Sequence, residues 1–289
     1  MTVVEKAYAK INLSIDIVCK TTSGYHDMRM VMQSTELYDG VTIMCTPGDG
    51  IFIKTDLKYL PVDERNIATR AARVFYNETG ITGYRTEIAI EKRIPVGAGL
   101  GGGSSDGAAV LRGLNRLFQT GLRQEALERL GASFGSDVPF CVAGGTALAE
   151  GRGERLTALP PLPDCAIVIC KPPFAISTPE LFSKIVCDKI RLRPDTEGLV
   201  EALKSQSLTG VARRMYNVFE DVLPKGTGAV GEIKDRLLNY NALGAMMTGT
   251  GSAVFAVFEK IEQAETAALD LKKRFPETFL TRPSEKIIL

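Results

Sequence analysis

The sequence predicts an α+β protein of two lobes, residues 1–160 and 161–289, on three observations. At 289 residues the chain exceeds the usual size of one domain. Its amino-terminal segment alternates polar and apolar residues as a strand does, and its middle carries apolar residues at helical spacing. Near its carboxyl end a strand, a glycine turn and a returning strand follow one another.

Residues 3–18 form the first expected strand, with Tyr8, Ile11, Leu13, Ile15 and Ile17 as its apolar set, and Val41 to Cys45 form the second. Between them TTSGYHDMRMV reads as a turn around Gly24 that displays Tyr25 and His26 at the sheet edge. Asp63 to Asn77 reads as a helix on Ile67, Ala71, Val74 and Phe75, and Arg85 to Ile90 returns to strand alternation. The best-defined helix follows the glycine cluster. It has Val110, Leu111, Leu114, Leu117 and Phe118 on one face, and Ser104, Ser105 and Asp106 as capping residues. Gln124 to Leu130 is helical; beyond it Pro139 is expected to push Val138 out of the α region, leaving Asp137 in a tight loop. Ala166 to Cys170 reads as a buried strand, PPFAISTPELF as a loop, and residues 195–240 as further helices before the strand–turn–strand at Ala242 to Phe258.

Thirty-five basic against 34 acidic side chains leave a net charge of +1, which excludes the broad basic footprint of a nucleic-acid binder, so any anion site is local. Six scattered cysteines with a single histidine and no C-x-x-C pair argue against zinc and for reduced thiols in a cytoplasmic protein. The alternating, charged amino terminus lacks the apolar block of a signal peptide. The uncharged run from Asn239 to Phe258 is broken by Gly244, Gly249 and Gly251, so no membrane span is expected.

Chemistry concentrates in Pro95-Val96-Gly97-Ala98-Gly99-Leu100-Gly101-Gly102-Gly103-Ser104-Ser105, where five of the seven residues from 97 to 103 are glycine. Glycine lets backbone N–H groups approach a ligand closely, and a helix that starts there offers unpaired N–H donors and a partial positive charge. Together these features bind phosphate. A Walker-type loop would end in Gly-Lys-Ser/Thr, and no lysine is present. A dinucleotide turn would need an acidic-ended second strand about 20 residues on, where RQEALERL is helical. A hinge or a glycine-packed helix crossing is the non-binding alternative.

The Pro95 to Ser105 segment resembles the P-x-G-x-G-L-G-S/G-S-S/A motif of the GHMP kinases. The resemblance extends to AYAKINLSIDI near the start and to Gly244-Ala-Met-Met-Thr-Gly-Thr-Gly-Ser-Ala-Val-Phe255 near the end. It implies a two-lobe kinase whose 1–160 lobe binds ATP as phosphoryl donor through residues 95–105, with ATP and acceptor meeting in the cleft against the 161–289 lobe. It further implies Lys10 and Asp137 as a catalytic pair, the carboxylate accepting the hydroxyl proton and the ammonium holding the arrangement. Taken alone, Lys10 reads as a solvated strand-edge lysine and Asp137 as a loop residue bonding nearby N–H groups.

Within the family, Ala9-Lys10-Ile-Asn12-Leu, Ser23-Gly24-Tyr25-His26 and Gly135-Ser136-Asp137-Val138-Pro139-Phe140 are similar to the branch that acts on a small cytidyl diphosphate substrate. That similarity implies Asn12, Tyr25, His26 and Phe182 as substrate-binding residues. The histidine would bond the cytosine edge, Tyr25 would stack on one face and Phe182 on the other. The alternative has Tyr25 in the core and His26 as a satisfied turn residue. Thr248 and the Gly249 to Gly251 backbone would complete an anion nest beside the phosphates. Mg²⁺ is expected with ATP; Ser104 and Ser105 are possible contacts, and no acidic motif is assigned as a metal site. Ser136, and Asp106-Gly107 at the start of the helix, depart mildly from the family pattern.

Overall fold

The computed structural model describes residues 1–20 and 26–288. In chain order it runs β1 (Thr2–Lys20), β2 (His26–Pro47), β3 (Ile51–Thr55), α1 (Ile67–Thr79), β4 (Tyr84–Glu91), α2 (Gly102–Phe118), α3 (Gln124–Ala132), α4 (Val138–Ala143), β5 (Thr146–Gly151) and β6 (Arg155–Ala158). The remainder is β7 (Ala166–Cys170), α5 (Thr178–Lys184), α6 (Thr196–Lys204), α7 (Leu208–Ala212), β8 (Tyr216–Asn217), α8 (Gly228–Asn239), β9 (Gly244–Met247), β10 (Val254–Phe258), α9 (Ile261–Lys272) and β11 (Thr278–Thr281).

Two sheets organise these elements. The first has seven strands in the order β3-β4-β2-β1-β8, with β5 paired to β2 and β6 to β5; the second has four in the order β11-β7-β10-β9. The mixed α and β content follows expectation, and β8 carries the chain back from the second half to the first sheet, pairing in parallel with Ser14 and Ile15 of β1. β7 and β10 are buried at every position, as strands covered on both faces must be.

β1 and β2 are longer than their alternation suggested. Asp27 to Val31, expected in a turn, lie inside β2, because Met28, Met30 and Val31 are buried and their backbone pairs with both β1 and β5. Their ladder is broken by register shifts between Tyr8 and Lys10, between Asn12 and Ser14, and between Ile17 and Cys19. The first two shifts have a consequence for facing. Ala7 packs in one core cluster, Ala9, Ile11 and Leu13 in a second, and Ile15 and Ile17 in the first again. The strand therefore turns over before Lys10 and back after Asn12, since a one-residue slip exchanges the faces of a strand. Strict alternation would have left Lys10 with Lys6 and Tyr8, which face Tyr38.

Helices start where local chemistry permits. Asn66 caps α1 by accepting from the Ala68 N–H, and Gly80 closes it in the left-handed region. α2 differs from expectation: its N-cap is Gly101, with no side-chain cap, and Ser104, Ser105 and Asp106 lie inside its first turns. Val138 also belongs to a helix, α4; Pro139 sits in the first turn, where its missing N–H costs nothing. The last residues of the expected loop, Thr178 to Phe182, instead begin α5, which is capped by Ser177.

All six cysteines carry free thiols. Burial pushes those of Cys141 and Cys165 up to about 12, which keeps them protonated as packing groups. Among the described residues no helix is long and apolar enough to cross a membrane.

Candidate active site

Three segments distant in sequence meet at the uncapped amino terminus of α2. The Lys10 N–H donates to the Leu100 carbonyl at 2.9 Å, and the Ala253 N–H to the Ala98 carbonyl at 3.1 Å. The loop from Pro95 to Gly101 is thus stitched between β1 and the carboxyl-terminal glycine turn. Gly97, Gly99 and Gly101 all take positive φ, and the fit is closest at Gly99. A Cβ there would lie 2.2 Å from the Thr248 carbonyl oxygen, and one on Gly249 2.8 Å from the Gly99 oxygen. Backbone rests directly on backbone, which only glycine permits. On Gly101 a Cβ would meet Lys10 Cγ at 2.9 Å, so the lysine stem lies along the loop.

Lys10 and Asn12 share the face created by the two register shifts. Lys10 Nζ donates to Asn12 Oδ1 at 2.8 Å and lies 3.4 Å from Asp137 Oδ2, with the Lys10 side chain buried and that of Asp137 about one-third exposed at 31%. The Asn12 N–H donates to Thr248 Oγ1 at 3.1 Å, and Thr248 Oγ1 lies 3.4 Å from the Gly99 carbonyl. A buried ammonium, a partly open carboxylate and the glycines of two loops therefore line one cavity of about 690 Å³. Gly97, Gly99, Gly101, Gly249, Thr250 and Gly251 line it at one end, and Ile15, Met28, Met30, His26, Phe182 and Phe219 at the other. One end suits phosphate and the other a flat, amphipathic group.

At the apolar end the His26 and Phe182 ring centroids are 5.0 Å apart, and Phe182 meets Phe219 edge-on at 4.9 Å. That spacing leaves no room for a base between His26 and Phe182. Tyr25 lies outside the described residues. Pro95, Val96, Ala98 and Leu100 serve the loop as framework: Ala98 and Leu100 are buried under it. Gly102, Gly103 and Ser104 form the first turn of α2. Ser105 points elsewhere; its Oγ donates to the Tyr8 carbonyl at 2.6 Å.

Residues without a sequence motif also hold the site. Asn217 of β8 donates from Nδ2 to the carbonyls of Met247 and Gly249, at 2.8 and 2.9 Å, and so anchors the carboxyl-terminal turn. Behind the phosphate loop, Lys92 Nζ bridges Asp39 and Asp106, the latter at 2.7 Å, while Asp39 Oδ1 accepts from the Arg93 and Ile94 N–H groups. Only Asp106 carried a signal, its departure from the family pattern. All three are buried.

Burial pushes the Asp106 carboxyl up to about 7, against the pull of Lys92, and Asp106 Oδ1 has no hydrogen-bond partner. Burial alone would depress the Lys92 ammonium, but Asp106 and Asp39 outweigh it and hold it up. Because the folded state keeps a proton on Asp106 that the unfolded chain releases near pH 4, this contribution is complete below that pH and is lost as pH rises to about 7. Asp106→Asn mimics the protonated form. Its stability relative to the parent is expected to rise steadily between pH 4 and 7 and to level above, as read from urea midpoints. A pH-independent difference would show that the folded chain holds no extra proton on Asp106.

A cavity of this size, with a glycine-rich loop at a helix amino terminus beside a Lys–Asp pair, has the form of a small-molecule kinase site. Family comparison agrees: the GHMP kinases N terminal domain matches residues 66–145 and the GHMP kinases C terminal domain residues 199–277. The chain belongs to the GHMP kinases, which are ATP-dependent kinases. At a finer level it is 46% identical over 280 residues to the 4-diphosphocytidyl-2-C-methyl-D-erythritol kinase of Lachnoclostridium phytofermentans, covering 96% of each chain. A crystal structure of 4-(cytidine 5'-diphospho)-2C-methyl-D-erythritol kinase superposes with a TM-score of 0.82 at 30% identity, covering 98% of this chain and 99% of the other. The homoserine kinase of Cytophaga hutchinsonii shares the fold at a TM-score of 0.76 and 21% identity, covering 99% of this chain and 95% of the other.

Proposed function

We propose that the protein transfers the γ-phosphoryl group of ATP to the 2-hydroxyl of 4-diphosphocytidyl-2-C-methyl-D-erythritol, giving the 2-phosphate and ADP in non-mevalonate isoprenoid precursor synthesis. The observation that carries this reading is a single cavity with the phosphate cradle and the Lys10–Asp137 pair at one end and His26 with Phe182 at the other. ATP phosphates take the glycine loops and the free N–H groups of α2. Asp137 accepts the proton of the acceptor hydroxyl, while Lys10, fixed by Asn12, holds the carboxylate in place and offsets charge on the phosphoryl oxygens.

Mg²⁺ suits the donor set through the nucleotide. Ser105 is withdrawn by its bond to Tyr8, whereas Ser104 Oγ lies 4.0 Å from where a side chain on Gly135, in the loop leading to Asp137, would begin. The ion would be held mainly by ATP phosphates with Ser104 as the protein oxygen, and it would neutralise phosphate charge during transfer. The two lobes divide near residue 160, and the protein works in the cytoplasm on this small molecule rather than on nucleic acid.

ADP release with Mg-ATP, comparing the cytidyl acceptor with mevalonate, homoserine and galactose, tests the reading. Turnover confined to the cytidyl acceptor supports it, and turnover with another acceptor sinks the base pocket. Phe182→Ala is expected to raise the KM for that acceptor by about tenfold, from a stacking contribution of about 1–3 kcal/mol, and to leave the KM for ATP unchanged. An equal rise in both constants would assign Phe182 to packing alone.

A further inference from the structure

Two buried polar side chains of α2 point away from the cavity. Ser105 and Arg112 are seven residues apart, two helical turns, and so share a face. Both are almost wholly buried, at 1% and 2% exposure. Ser105 Oγ donates to the Tyr8 carbonyl at 2.6 Å and touches Cys141 Sγ at 3.3 Å. The Arg112 guanidinium spans the same two elements, Nη2 donating to the Lys6 carbonyl and Nη1 to the Cys141 carbonyl, each at 2.8 Å. Glu5 Oε2 lies 3.4 Å from Nε, while Glu5 Oε1 pairs with Arg116 at 2.7 Å.

The elements gripped are those that carry the reacting pair. Tyr8 is the last paired residue before the register shift that reorients Lys10, and the Cys141 N–H donates to the Asp137 carbonyl at 3.1 Å. Attachment of α2 to the sheet does not require these bonds, because Ala108, Ala109, Val110, Leu111 and Leu114 are fully buried beside them. Burying a guanidinium and a hydroxyl there costs desolvation that an apolar pair would avoid. What the polar pair adds is a fixed distance between two backbones.

We infer that α2 sets the separation of Lys10 and Asp137 through Ser105 and Arg112, which act as positioning residues for phosphoryl transfer. The inference rests on the kinase reading above. It makes Ser105 a brace within the glycine motif, distinct in role from Ser104 beside it. A helix that receives the ATP phosphates at its first turn thereby also locates the groups that act on the acceptor, so donor and acceptor chemistry share one rigid reference.

The test is steady-state kinetics of the full-length chain with Mg-ATP and the cytidyl acceptor for Ser105→Ala and Ser105→Thr. Ser105→Ala is expected to lower kcat by about tenfold, with both KM values within about twofold of the parent, because small misplacement of reacting groups acts on the chemical step. Ser105→Thr, which keeps the hydroxyl, should restore most of that loss. A folded Ser105→Ala with parental kcat overturns the inference. So does a raised KM for ATP at constant kcat, which would make Ser105 a phosphate ligand. Should Ser105→Ala not fold, Arg112→Lys, which shortens the fork, is read by the same criteria. A parent chain that binds ATP but transfers nothing removes the kinase reading and the brace together, whereas an active parent with indifferent variants removes the brace alone.

Discussion

Asp137→Asn is expected to lower kcat by about 10²- to 10⁴-fold, the range of a positioned general base, with little change in either KM. The substitution preserves shape, and the Asp137 backbone carbonyl keeps its bond to the Cys141 N–H, so α4 should start where it does now. What is lost is the charge facing Lys10 Nζ at 3.4 Å and the ability to take a proton. Lys10→Ala should fall by about 10² or more for a different reason: it removes the cation that faces Asp137 and offsets phosphoryl charge, and it takes from Asn12 Oδ1 its donor at 2.8 Å. Turnover within about threefold of the parent in both variants would exclude the pair from the chemistry.

Gly99→Ala should be the most damaging single methyl in the phosphate loop. Its φ of +77° disfavours any side chain, and the new Cβ would lie 2.2 Å from the Thr248 carbonyl oxygen, a backbone atom that cannot swing aside. The loop must move off the carboxyl-terminal turn, so kcat/KM for ATP is expected to fall by about 10²-fold or more, with a lower Tm. Gly103 provides the contrast inside the same motif. It lies in α2, and a Cβ there would meet Ile67 Cδ1 at an ordinary 3.5 Å. Gly103→Ala should raise stability by about 0.5–1 kcal/mol, as alanine does in a helix. Equal tolerance of both changes would show that the close approach at Gly99 is not needed.

Part of the geometry of this candidate site was legible in the sequence because short motifs fix local backbone and side-chain placement. The run from Pro95 to Ser105 announced a glycine loop running into a helix, and Lys10, Asn12 and Asp137 stood in short patterns that the fold brings together. Less legible was anything set by pairing across long separations. The Asn12 N–H meets Thr248 across 236 residues, and Asn217 reaches the glycine turn from a two-residue strand with no periodicity to announce it. Asp39 and Lys92 lie far apart in sequence and are brought together by the β2–β4 ladder, where Gly40 pairs with Glu91, and Asp106 of α2 completes the buried group. The expected caps Ser104, Ser105 and Asp106 misled because glycine starts the helix one turn earlier, leaving the serines free for other partners. Tyr25 lies outside the described residues.

The overturned stretch of β1 makes the spacing of residues 9–13 matter more than their identity. Ala9, Ile11 and Leu13 need only be apolar and of suitable volume, so conservative exchanges there should be absorbed. Adding or deleting one residue would instead rotate Lys10 and Asn12 to the side of the sheet that faces Tyr38, with every later hydrogen bond still available to the strand. Activity is then expected to be lost by arithmetic alone, through a length change that leaves Lys10 and Asn12 in the chain and its composition almost untouched.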